Sequence, residues 1–188
     1  GIGDLLSVHT ATFDWELAEQ KSKSEYPFSK EDIINATKIL EDLYDILPAI
    51  HDVSDSGLQA LVEGYMRLNT ICLPTGHSRV EEGSEHYLFY ELEERLQRAF
   101  IHGHIVGLGI YLMSRLQDNQ ANEITRIMDE VGLEYHPTGM NIKKSDLRAS
   151  LQNLRSYVRS RKNFWYTIID DTHISDEWIA EALAGLKF

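Results

Sequence analysis

The sequence predicts an all-α fold, and three observations carry that expectation. Apolar residues recur at helical spacings of three and four along the whole chain. Strand-like alternation is nearly absent. Serine, glycine and proline fall where helices should begin and end. With 188 residues, 43% of them hydrophobic and 26% charged, the chain can bury one compact core. A single orthogonal multi-helix domain of seven or eight helices, spanning residues 1–188, is expected.

The elements follow in order. A first helix is expected over about Gly3 to Lys23, with Ile2, Leu6, Phe13 and Leu17 on one stripe. Asp4, Val8, Ala11, Trp15 and Ala18 form a neighbouring stripe, so the helix should be buried along most of its length. Tyr26-Pro27-Phe28-Ser29 breaks it. Ser29 is an N-cap followed by acidic Glu31 and Asp32, and Ile33, Ala36, Leu40, Leu43 and Leu47 carry the next helix to about Leu47, with Pro48 near its end. Ser54-Asp55-Ser56 caps a helix running through Leu58, Leu61, Val62, Tyr65, Leu68 and Cys72, which Pro74 should close. Thr75 to Glu82 reads as a polar loop in which His77 and Arg79 are solvated.

Gly83 to Glu93 should be helical, and His102 to Gln117 is the most apolar helix. Asn119 to Val131 follows, with Gly132 at its C′ position. Leu133 to Lys144 looks irregular. Ser145 and Asp146 open a helix with Leu147, Leu151, Leu154 and Val158 inside. Its outer residues Arg148, Arg155, Arg159 and Arg161 read as a solvated cationic face. Asn163 to Ile169 is expected to be extended, and Ser175 caps a last helix.

The totals exclude several function classes. A net charge of −12 disfavours nucleic acid and anionic membrane surfaces as partners. No run of apolar residues is long enough to span a bilayer, and no secretory leader is expected, since no cationic stretch followed by an apolar one is visible at the start. The single cysteine, Cys72, precludes an intrachain disulfide framework and suggests a reducing, cytoplasmic setting; its apolar surroundings make it a core residue rather than a nucleophile. The first residues look like the inside of a helix, so a piece of a longer protein is expected.

Histidines open two apolar segments, at Gly83-Ser84-Glu85-His86 and at His102-Gly103-His104. Both can hold one metal ion, with Asp4 as third ligand, only if the chain folds back between them. One straight helix would hold residues sixteen apart at roughly 24 Å. A helix to about Glu93 and an extended return from Glu94 to Ile101 would bring them together, and the glycines near His102 would let other backbone come close. His104 lies about 200° round the helix from His102 and is left out. Asp4 reads equally as a helix-start carboxylate satisfied by backbone N–H groups. A Gly-x-Gly-x-x-Gly turn, βαβ alternation and a P-loop are all missing, so no nicotinamide site is visible in the chain.

Gly3-Asp4-Leu5-Leu6-Ser7 with Thr10-Ala11 and Asp14-Trp15, then His77-Ser78-Arg79 and Gly83-Ser84-Glu85-His86, then His102-Gly103 with Val106-Gly107, resemble the C-terminal helical domain of the iron-containing alcohol dehydrogenase superfamily. The likeness is to its glycerol-1-phosphate dehydrogenase branch, with dehydroquinate synthase among the relatives. The resemblance implies a dehydroquinate synthase-like helical domain, with Asp4, His86 and His102 binding zinc or, in other members, iron. It implies an NAD(P)-binding domain elsewhere in the parent protein and a small polyol or polyol-phosphate substrate between the two domains. It also implies that this chain alone is inactive, and that the face left by the other domain invites self-association. A non-catalytic helical interaction module and a sugar-phosphate cyclase are the alternatives. The sequence departs from the family at Val80-Glu81-Glu82, where Pro-Ala-Ser is usual; two added acids near the site would repel a phosphate.

Overall fold

The computed structural model describes residues 1–188, and it is helical throughout, without strands. The helices are α1 (Ile2–Leu6), α2 (Val8–Gln20), α3 (Lys30–Tyr44), α4 (Leu47–His51), α5 (Asp55–Thr75) and α6 (Ser84–Leu96). They continue as α7 (His102–Leu116), α8 (Ala121–Glu130), a 3-10 turn (Pro137–Met140), α9 (Lys144–Arg159), α10 (Ile168–Asp171) and α11 (Asp176–Ala184). Eight of these have nine or more residues, which is the expected number; α1, α4 and α10 are short additions.

The core is built round α7. Ile105, Val106, Leu108, Ile110, Leu112 and Met113 are all fully buried, as the continuous apolar run requires. Around α7 pack α1, α2, α6 and α8, while α9 covers the far side of α6. Two glycines set how close the layers come. A Cβ on Gly109 would sit 2.5 Å from the carbonyl oxygen of Glu85, so only glycine lets α7 cross α6 there. A Cβ on Gly3 would sit 2.5 Å from the carbonyl oxygen of Gly103, which lets α1 touch the start of α7. No helix is long and apolar enough to cross a membrane.

Several boundaries differ from expectation. The first helix is interrupted at Ser7, whose hydroxyl lies 2.6 Å from the Asp4 carbonyl and 2.5 Å from that of Glu81. A side chain competing for a helical carbonyl favours a break there. Pro48 opens α4 instead of ending α3, because a first-turn N–H has no intrahelical partner to lose. Pro74 lies inside the last turn of α5, which continues to Thr75. Helix α6 runs on to Leu96, helped by Arg95 bonded to Glu91 one turn earlier at 2.6 and 2.9 Å, and the return is made by residues 97–101 alone. Helix α9 starts one residue earlier than its serine, after Lys143. The stretch expected to be extended ends at Thr167, which caps α10. Ser29, Ser54 and Ser175 cap their helices as expected, accepting from Asp32, Gly57 and Trp178 N–H.

Candidate metal centre

Asp4 is the third residue of α1, His86 the third of α6 and His102 the first of α7. The Gly3–Gly103 contact carries the first of these to the third, and the Gly109–Glu85 contact carries the third to the second. Each of the three side chains offers one ligand atom, and these atoms lie within 4.8 Å of one another. The imidazole centroids are 5.4 Å apart. His86 is buried, Asp4 half-buried and His102 exposed, so the group opens to solvent on the His102 side. His104 stands outside it.

The polar contacts of Asp4 are incomplete. Its Oδ2 accepts from the Tyr65 hydroxyl at 2.9 Å. Its Oδ1 is buried and lies 2.9 Å from His102 Nε2, yet accepts no hydrogen bond, because the two atoms are not aligned for one. The helix-start reading of Asp4 finds only a 3.5 Å contact with the Gly1 amine.

His86 is held from behind. Its Nδ1 lies 2.8 Å from Oε1 of fully buried Glu85, which also accepts from Gly83 N–H at 2.7 Å, while Oε2 accepts from Thr10 Oγ1 at 2.7 Å. An acceptor-only carboxylate at Nδ1 fixes the proton there and leaves Nε2 with its lone pair. Burial opposes protonation of His86, but the Glu85 hydrogen bond and charge outweigh it and raise its pKa. Asp14 anchors the same region. One oxygen accepts from Ser84 N–H and the other from Ile168 N–H, both at 2.8 Å, so α2 is tied to the starts of α6 and α10. Burial first, then the Glu85 charge, push the Asp14 pKa up to about 6.

The loop before α6 is not the solvated stretch expected. Arg79 is 0% exposed, donating to the Tyr166 carbonyl at 2.7 Å and lying 5.2 Å from the Trp165 ring centroid. His77 stacks on Tyr26 at 4.3 Å and meets Trp15 edge-on at 5.3 Å. Both pin the loop and lie outside the Asp4–His86–His102 group. Cys72 is buried as expected; burial, then Glu81, push its thiol pKa up to about 12, which suits a core residue and not a nucleophile.

A cavity of about 290 Å³ opens onto Asp4, His86 and His102, with Tyr65, Ser78, Glu81 and Glu82 in its wall. A larger one, about 570 Å³, lies against Arg155 and Arg159 of α9. No group of converging ligand atoms is found there; Arg155 bonds the Asp170 carbonyl while its Nε has no partner, and the exposed Arg159 lies 3.7 Å from the Asp170 carboxylate.

No family model matches the chain. It is 26% identical over 179 residues, 94% of its length, to the glycerol-1-phosphate dehydrogenase [NAD(P)+] of Methanobrevibacter smithii. Identity is 30% over 179 residues, 91% of the chain, to that of Pyrobaculum neutrophilum, and 25% over 187 residues, 98% of the chain, to that of Aeropyrum pernix. The chain is a homologue of glycerol-1-phosphate dehydrogenases. It spans about half the length of these relatives, 49% of the first two and 50% of the third. The resemblance carried by the motifs around Asp4, His86 and His102 thus extends over nearly the whole chain.

Glu85 and Asp14 are the site's unforeseen members. Each had a signal in the sequence. Asp14 is a charge beside Trp15 on a helix expected to be buried, and Glu85 directly precedes a candidate ligand.

Proposed function

We propose that this chain is the metal-binding helical half of an NAD(P)-dependent dehydrogenase of a small polyol or its phosphate. Asp4, His86 and His102 are the proposed ligands, with zinc the first candidate and iron(II) the second. The observation that carries this reading is the buried, unpartnered Asp4 Oδ1 beside two imidazoles, one of which has Nδ1 already committed to Glu85. A carboxylate and two neutral imidazoles suit a borderline cation and leave a coordination position open.

A cation held there would polarise a substrate oxygen, and the hydride would pass to or from a nicotinamide bound by a domain outside these 188 residues. The residues of this chain have supporting tasks. Glu85 keeps the proton of His86 on Nδ1, and Tyr65 orients Asp4 by donating to Oδ2. The half-open cavity admits a small substrate at the His102 side. Similarity to glycerol-1-phosphate dehydrogenases over more than nine-tenths of the chain supports the dehydrogenase class.

Metal content tests the reading. The chain, equilibrated with Zn²⁺ and dialysed, should retain one equivalent by elemental analysis. His86→Ala and His102→Ala should retain about a tenth or less, with unchanged far-ultraviolet circular dichroism, because the loss of a direct ligand should exceed the 10–100-fold cost typical of outer-shell changes. Failure of the unaltered chain to retain zinc or iron(II) would sink the proposal and favour the interaction-module alternative.

A further inference from the structure

The wall of the metal cavity has a chemical bias of its own. Glu81 and Glu82 line it together with Asp4, and no lysine or arginine does. Three carboxylates facing one divalent cation leave the cavity net negative. Of the neutral donors on the wall, two hydroxyls are spent and the uncharged amide of Asn69 is left free. The Tyr65 hydroxyl is engaged by Asp4 Oδ2 and the Gly1 carbonyl, and the Ser78 hydroxyl donates to Glu82 Oε2 at 2.7 Å.

The acceptors, in contrast, are plentiful. Glu82 is clamped, its Oε1 receiving the Tyr90 hydroxyl at 2.7 Å while Ser78 holds the other oxygen. Each of those oxygens keeps further acceptor capacity. Glu81 Oε1 receives only the Cys72 thiol, at 3.5 Å. A wall of fixed acceptors with few free donors fits O–H groups. It opposes a phosphate, which brings negative charge and acceptor oxygens to acceptors that are already negative.

We infer that Glu81 and Glu82 are specificity-determining residues which make this half of the site accept the uncharged hydroxyl end of a polyol and turn a phosphate away. The inference rests on the metal-centre reading above and deepens it. A phosphorylated substrate would have to present its hydroxyl end to this wall and have its phosphate gripped by cations outside the chain.

Cobalt(II) in place of zinc gives a readout independent of turnover, since its visible spectrum responds to what enters the cavity. The protein loaded with one equivalent of Co²⁺ is titrated separately with glycerol and with inorganic phosphate. Glycerol should perturb the spectrum at concentrations where phosphate does not. In Glu81→Gln/Glu82→Gln phosphate should bind at least about tenfold more tightly than in the unaltered protein, as expected when like charges are removed from a site. Glu81→Gln alone, which leaves the Ser78–Glu82–Tyr90 clamp intact, should shift the same way by a smaller factor. Phosphate binding tighter than glycerol in the unaltered protein, or unchanged by both substitutions, overturns the specificity inference while leaving the metal centre standing. Failure to take up Co²⁺ at all overturns the metal centre, and the specificity inference with it.

Discussion

Two pairs of carboxylates within one region of this molecule are treated in opposite ways. Asp14 and Glu85 are fully buried, and all four of their oxygens are occupied by backbone N–H, hydroxyl or imidazole groups. Asp4 and Glu81 stand at the cavity wall with acceptor capacity to spare, one Asp4 oxygen having no hydrogen bond at all. The first pair closes the fold around the starts of α6 and α10. The second pair is left for something else to complete. Desolvation is costly for a carboxylate, so a buried oxygen without a hydrogen bond at the wall of a cavity is favourably placed to meet a ligand.

The largest effect that would break this contrast is at Asp14. Asp14→Ala strands the N–H groups of Ser84 and Ile168 and should destabilise the apo protein by about 3–5 kcal/mol in urea unfolding. Its titration gives a second test. The folded pKa is about 6 against an ordinary 3.8, so the folded state holds this proton more tightly than the unfolded state does. The associated stability is fully present below pH 3.8 and is lost as pH rises through about 6. The interval corresponds to roughly 3 kcal/mol at about 1.36 kcal/mol per pH unit. Stability of the unaltered protein relative to Asp14→Asn should therefore fall between pH 4 and 6.5, and parallel curves would show that Asp14 does not titrate in this window.

Gly3 tests the other side of the comparison, where the site depends on close backbone approach. A methyl group at Gly3 would press into the Gly103 carbonyl at 2.5 Å and push α1 from α7. Gly3→Ala should cost about 1–3 kcal/mol of stability, as overpacking does. It should cost zinc affinity about 10–100-fold, because Asp4 moves relative to His102 while its chemistry is unchanged. Calorimetric titration with Zn²⁺ separates this from loss of folding, and an affinity equal to that of the unaltered chain would mean that Asp4 is not a ligand.

How much of this was legible beforehand follows the same division. Helix positions were legible because apolar spacing and capping serines are local. The convergence of Asp4, His86 and His102 could be stated because the fold-back between α6 and α7 is a matter of chain length, although the turn came at Gln97 and not at Glu94. The burial of Arg79 was illegible. It is fixed by the carbonyl of Tyr166, 87 residues away, while locally the residue sits among loop signals. Asp14 likewise takes its meaning from Ile168, 154 residues on. The capping role of Thr167 was hidden because Phe164 to Ile169 is rich in aromatic and β-branched residues, whose strand preference tertiary packing overrides. The cationic face of α9 and the residues just after it is solvated as expected, with Arg148, Arg159 and Arg161 between 38% and 60% exposed; the acids on other elements that meet them, Asp176, Asp170 and Glu94, were not legible from spacing.

Those ion pairs supply the smallest effect and the sharpest foil to Asp14. Arg161 bonds Glu94 and lies over the Tyr157 ring at 4.5 Å, while Arg148 lies 3.1 Å from Asp176. The Arg161 hydrogen bond holds the Glu94 carboxyl below its usual pKa, so the contact is felt electrostatically. Water surrounds both partners, however, and removing one leaves the other solvated instead of stranded. Arg161→Ala should move the thermal midpoint by about one degree or less, and the difference should vanish in about 0.5 M salt, where screening is nearly complete. A larger loss, insensitive to salt, would mean that packing of the arginine stem on Tyr157 outweighs the charge. Paired carboxylates at the surface and in the interior would then differ less than the geometry implies.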